Sequence, residues 1–94
     1  MNKKRKGIRF EREVKRLFEK AGFSVVRSAA SLGKADLHVE GIGSIQCKAR
    51  KTFNVYNLFD GADFLVLKAD RKEPLIVMPL SKFLTDFAIP GARK

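Results

Sequence analysis

The chain is poor in acid, in histidine, in cysteine and in long apolar runs. Its 94 residues hold 10 Asp and Glu against 20 Lys and Arg, a formal net charge of +10 and a pI near 10.2. A single cysteine, Cys47, excludes an intramolecular disulfide, so nothing in the composition calls for an oxidising compartment. The basic start leads into no apolar stretch of secretory-signal length, and no segment approaches the ~20 apolar residues of a membrane span. A cytoplasmic location, in a cell or a virus-infected host, is the expectation. The one histidine, His38, reads as a surface or hydrogen-bonding group. Repeats and low-complexity blocks are missing too, which leaves one small domain over 1–94 with a basic arm at 1–6 and a loose tail at 90–94. A chain of this size buries a modest core and gains from partners.

What is there in quantity is positive charge. Nine of the twenty basic residues fall in the first twenty positions, beginning Lys3-Lys4-Arg5-Lys6. A charge run by itself is most often a solvated face. Beside a site for phosphate chemistry it reads better as contact with a nucleic-acid backbone. Membrane binding fits less well, because the apolar stripe of the helix that follows is needed for the core.

The segment Asp36 to Lys48 supplies that site. Side chains alternate along a strand, so Leu37 and Val39 point one way and Asp36 and His38 the other. Ile45, Cys47 and Ala49 alternate in the same way with Gln46, Lys48 and Arg50. With Gly41 to Gly43 as the turn, pairing Val39 with Gly43 sets Asp36 opposite Gln46, and Lys48 lies two residues further on the same face. A hard cation such as Mg²⁺ takes oxygen ligands and polarises a phosphoryl group and a bound water. Asp36 and the Gln46 amide carbonyl are candidate ligands. Lys48 can orient the attacking water or offset charge that develops on the phosphoryl oxygens. Cys47, on the apolar side, reads as a small core residue rather than a nucleophile.

The first helix is expected from Gly7 to Ala21, stopped by Gly22, with Phe10, Val14, Leu17, Phe18 and Ala21 as its buried stripe. Glu11 and Glu13 flank that stripe, and periodicity does not choose between them. Phe23 to Ala29 reads as a strand and Ser28 to Lys34 as a loop. Phe53 to Phe59 is a short helical segment ended by Asp60-Gly61, its aromatics more suited to core or dimer packing than to base stacking. Phe64 to Leu67 reads as a buried central strand. Asp70 to Glu73 turns the chain into an antiparallel partner, Pro74 to Met78. Ser81 is the expected cap of a last helix, Lys82 to Phe87.

Lys6-Gly7 followed by Glu11-Arg12-Glu13, then Gly22 to Ser31, Asp36 and Gln46-Cys47-Lys48, resembles the PD-(D/E)XK nuclease superfamily, most closely its Holliday-junction resolvase branch. The resemblance covers the first half of the chain. Two positions depart from the pattern: Ala35-Asp36 stands for Pro-Asp, and Gln46 stands for the Glu of the E-x-K pair, which removes one formal negative charge. The resemblance implies a restriction-endonuclease-like α/β fold, a mixed sheet of about five strands flanked by helices. It chooses Glu11 over Glu13, and implies a metal held by Glu11, Asp36, Gln46 and the Cys47 main-chain carbonyl, with Mg²⁺ as the cofactor and Mn²⁺ able to substitute. Lys48 and, by position in the loop, Ser31 join the catalytic set. Phosphate contacts fall to Lys3, Lys4, Arg5, Lys6, Arg9, Arg12, Arg27, Lys34, Arg50 and Lys51. The implied function is a structure-selective endonuclease acting on branched DNA as a homodimer, one active site per protomer. Two other readings stay open: a phage-type nuclease cutting flaps, nicks or duplex, and a DNA-binding module that kept the fold but lost hydrolysis with the Gln46 exchange.

Overall fold

A computed structural model describes residues 3–27 and 36–90, the side chains of Lys3 and Lys4 excepted. The elements run α1 (Lys3–Lys20), β1 (Val25–Arg27), β2 (Leu37–Val39), β3 (Gly43–Ile45), α2 (Val55–Leu58), β4 (Leu65–Leu67), β5 (Leu75–Val77) and α3 (Leu80–Lys82), which continues into a π-helical stretch, Phe83–Phe87. The class is α/β and the strands among the described residues number five, as expected. They do not form one mixed sheet. β1-β2-β3 make one antiparallel sheet and β4-β5 another, and among the described residues every ladder is antiparallel. Contacts divide the chain into two compact units, Met1–Arg50 with Pro90–Lys94, and Lys51–Ile89.

In the first unit α1 packs on β1 and β2. The helix begins four residues before the expected Gly7, so Lys3 to Lys6 form its first turns rather than an arm. Lys and Arg are strong helix formers, and a lone interior glycine costs only about 1 kcal/mol, too little to stop the helix. Its other end is set by Gly22, whose φ of 101° is left-handed. The Gly22 N–H donates to the Glu19 carbonyl at 2.9 Å and the Phe23 N–H to the Phe18 carbonyl at 3.0 Å. These are the two bonds of a Schellman cap, and the apolar contact that accompanies such a cap is the edge-on Phe18–Phe23 ring pair. Committing Phe23 to the cap delays the strand, and β1 starts at Val25. The expected end of that strand, at Ser28 and Ala29, lies outside the described residues. Val14, Phe18, Phe23, Leu37 and Val39 are the buried core, whereas Leu17, at the margin of the stripe, is exposed.

In the second unit α2 is followed by an Asp60-Gly61 turn with both residues at positive φ, closed by Ala62 N–H to the Phe59 carbonyl at 2.9 Å. β4 is not a buried central strand. A two-stranded ribbon covers only one face, so Leu65 and Leu67 are half-buried while Val66 is 65% exposed, and Leu75 and Ile76 on β5 are exposed as well. Ser81 is not the cap of the last helix. Pro79, in an extended conformation at φ −60°, precedes a helix that starts at Leu80, with no side chain capping it. The π-helical stretch closes with Ala88 N–H on the Phe83 carbonyl at 2.8 Å. Among the described residues no helix is long and apolar enough to cross a membrane.

Candidate active site

The hairpin of β2 and β3 is built as its alternation requires. The Ile42 N–H closes the turn on the Val39 carbonyl at 3.0 Å, with Gly41 and Gly43 at positive φ. The ladder pairs Val39 with Gly43 and Leu37 with Ile45. Leu37 and Val39 are completely buried, His38 and Glu40 are exposed, and Asp36 sits half-buried at the strand's end. Past Ile45 the chain stays extended, with Cys47 and Ala49 half-buried and Gln46, Lys48 and Arg50 exposed.

The two strands remain together one step beyond the ladder, because the Asp36 N–H reaches the Ile45 carbonyl at 3.0 Å. The Asp36 Oδ2 then accepts the Cys47 N–H at 2.7 Å. This short, charge-assisted bond fixes the carboxylate against the backbone between Gln46 and Lys48. The D…QxK arrangement is therefore joined through the main chain of its own middle residue.

Glu11 reaches the same place from α1. It is half-buried at the edge of the core stripe, and its Oε1 accepts from the Arg27 Nε at 3.0 Å. The Cys47 thiol reports both acids: its pKa is pushed up to about 11, first by burial, then by the Asp36 carboxylate, then by Glu11. One helix and one hairpin thus place two carboxylates within electrostatic reach of a single partly buried thiol, and the thiol is held neutral. The acid brought to the hairpin is Glu11; Glu13 is exposed on another flank of α1.

The remaining expected site residues are spread more widely. Lys48 and Gln46 lie on the exposed side of their segment, and among the described residues no ion pair involves Lys48. Arg27, expected on phosphate, is engaged by Glu11. Arg5, Arg9 and Arg12 are exposed on α1, Lys6 is half-buried there, and Arg50 and Lys51 are exposed beyond the hairpin. Ser31 and Lys34 lie outside the described residues, as do the side chains of Lys3 and Lys4. Arg16 was not among the expected contacts, although its spacing from Arg5, Arg9 and Arg12 places it on the same helix face; it lines a shallow groove with them.

The donor set has a definite chemical character. Among the described residues no three His, Cys, Asp or Glu side chains gather as a metal cluster. Two carboxylates and a nearby amide suit a hard cation that keeps several waters, such as Mg²⁺, and do not suit a closed tetrahedral zinc site.

A family model of archaeal Holliday junction resolvases (Hjc) matches residues 2–56, which include α1, the hairpin and both candidate acids. The crossover junction endodeoxyribonuclease Hjc of Methanocaldococcus jannaschii is 37% identical over an 83-residue alignment that covers 71% of this chain and 62% of that protein. The chain therefore spans about three fifths of the relative's length. No solved structure matches it. With more than half of its residues inside the family model, the chain belongs to the archaeal Holliday junction resolvase (Hjc) family.

Proposed function

We propose that this protein is a Mg²⁺-dependent DNA endonuclease that resolves four-way junctions. The observation that carries the reading is Asp36 held by the Cys47 N–H between Gln46 and Lys48, with Glu11 brought beside the hairpin through Arg27, the residue paired with Leu37. Membership of the Hjc family supports the substrate class, since the similar protein of M. jannaschii is named for crossover-junction cleavage. Glu11, Asp36 and the amide oxygen of Gln46 would hold the cation, and the Cys47 carbonyl lies beside them in the chain. The cation, when bound, supplies charge to the phosphoryl oxygens and a more acidic water. Asp36 stays oriented through the Cys47 N–H during this. Lys48 places an ammonium at the exposed face, where it stabilises charge that grows in the transition state. Arg27, paired with Glu11 before substrate arrives, has a phosphate as its alternative partner.

Cutting both strands of a junction symmetrically suits a two-fold dimer. Tyr56, Leu58, Val66, Leu75, Ile76 and Phe87 of the second unit all expose large apolar surface, which supports self-association. A protein that acts on DNA without a membrane-spanning helix among its described residues fits a cytoplasmic location.

One observation favours a second reading. Gln46 leaves the candidate metal site with two formal charges, and no third acid completes it among the described residues. A binding module that has lost hydrolysis would look like this. Incubating labelled four-way junction, flap, duplex and single strand with the protein and Mg²⁺ or Mn²⁺, with and without chelator, decides between them. Chelator-sensitive cutting of the junction ahead of the other DNAs is expected. No cutting of any DNA with either metal leaves the binding module.

A further inference from the structure

The outward face of α1 carries a feature that the active site does not use. Arg5, Arg9, Arg12 and Arg16 follow one another at spacings of four, three and four residues, which keeps them on one side of a helix. Together with Ile8 they line a single shallow groove. At about 100° per residue, all four lie about 100–160° around the helix from Glu11. The stripe therefore looks away from the hairpin that holds Asp36.

The charge of Arg9, Arg12 and Arg16 is not taken up by ion pairs within the helix. Glu11 is paired with Arg27 across to β1, Glu19 is paired with Lys15 at 2.8 Å, and Glu13, four residues on from Arg9, forms no ion pair among the described residues. Among the described residues no ion pair involves Arg9, Arg12 or Arg16. Arg5 stands in the first turn of the helix, where the macrodipole makes positive charge unfavourable and an anion welcome. No acid stands in the first turn to offset it. Glu13 and Glu19 border the stripe and Lys20 follows Arg16 by four residues, but the four basic residues that line the groove are all arginines, the side chain whose planar fork takes phosphate oxygens in pairs. Eleven residues of helix rise cover about 16 Å, which is close to five steps of one strand of duplex at about 3.4 Å each.

We propose that this stripe holds the phosphodiester backbone of a second duplex arm, distinct from the arm whose phosphate lies at Glu11 and Asp36. The assignment rests on the junction-resolving reading above and adds to it where the other arm goes. A single straight duplex seated at the hairpin meets the other side of α1. Only a branched DNA presents two arms to two faces of one helix. Arm selection is then a property of a helix face remote from the chemistry.

The test compares the parent with Arg9→Gln/Arg16→Gln, both exposed positions opposite the core and both changed to a good helix former. Circular dichroism checks that the helix content is kept. Binding to a four-way junction and to a linear duplex of equal length is titrated across salt, in chelator so that no DNA is cut. The double variant should lose about tenfold or more in junction affinity, and about 2 from the slope of log affinity against log salt, while duplex affinity stays within about threefold. Arg9→Lys/Arg16→Lys, which keeps the charges, should retain most of the junction affinity. Equal losses on both DNAs, or none on the junction, overturn the second-arm assignment, and so does a parent that binds the duplex as tightly as the junction. Loss of binding to phosphatidylserine vesicles with junction affinity intact would give the stripe to a membrane surface instead. Because all of these are binding measurements, a parent that fails to cut DNA counts against the endonuclease reading alone.

Discussion

Residues 51–89 balance Lys51, Lys68, Arg71, Lys72 and Lys82 against Asp60, Asp63, Asp70, Glu73 and Asp86, so the formal net charge of +10 falls entirely to the other unit. Burial divides along the same line. The charged unit encloses Val14, Phe18, Phe23, Leu37 and Val39, whereas in the neutral unit Ala88 alone is a buried hydrophobic among the described residues, and Tyr56 is 73% exposed. The first unit encloses most of its large apolar groups, Leu17 and Val26 excepted, and offers charge; the second offers apolar surface and no net charge. The physical difference sorts their partners. A polyanion is attracted to the first through long-range, salt-sensitive forces, and the second can gain only by contact over apolar area.

Variants that strike the charged unit should have the largest effects. Asp36→Ala and Lys48→Ala should each reduce junction cleavage by at least about 10³-fold, because the proposed mechanism puts both where charge develops. Junction affinity should stay within about tenfold, since phosphate contacts elsewhere supply most of it. Cleavage assays beside gel-shift titrations measure the two, and full activity in either variant would remove the hairpin from the mechanism. Next in size is the core of the same unit. Phe18→Ala should cost about 3–5 kcal/mol and Leu37→Ala about 2–5 kcal/mol of folding stability, read from urea denaturation. A cost below ~1 kcal/mol for both would mean that the first unit does not enclose its own core.

The metal titration sharpens the comparison further. Gln46→Glu adds a carboxylate to a site with two, and should lower the Mg²⁺ concentration for half-maximal cleavage severalfold, while Gln46→Ala raises it or abolishes cutting. Identical metal curves for parent and Gln46→Ala would show that Gln46 is no ligand. The smallest change is expected in the neutral unit. Ile76 is 60% exposed, so Ile76→Ser should alter monomer stability by no more than about 0.5 kcal/mol while weakening self-association in sedimentation equilibrium. A stability loss as large as that of Leu37→Ala would place Ile76 in a core and dissolve the contrast between the units.

The parts legible in the sequence were those governed by short-range rules. The pairing of Val39 with Gly43 followed from a two-residue period and a glycine turn, and the structure has that register. The helix stripe, Leu17 excepted, and its stop at Gly22 followed in the same way, as did the antiparallel partner of β4 and the turn at Asp60-Gly61. Placement that depends on distant contacts was harder to read. The run Phe64 to Leu67 has the composition of a central strand, but which face is covered depends on neighbours that composition does not name. The pairing of Arg27 with Glu11 spans 16 positions and has no local signature. Nor does the Cys47 N–H on Asp36, which belongs to backbone hydrogen bonding rather than to any side-chain pattern. Pro79 starting the last helix in place of Ser81 shows local preference being outvoted: an extended proline can precede a helix without any side-chain cap.

The glycine turn at the hairpin tip reaches well beyond itself. Because side chains alternate with a period of two, one residue added or removed between Val39 and Gly43 would shift the β3 side of the hairpin by a single step. Cys47 and Ala49 would then swing to water, and Lys48 would be driven towards Leu37 and Val39. The tip of the loop therefore works as a counter for the chain: adding or removing an even number of residues keeps the Lys48 ammonium on the exposed face, and an odd number turns it inward. Length in that loop is constrained more tightly than the identity of its exposed side chains, Glu40 included.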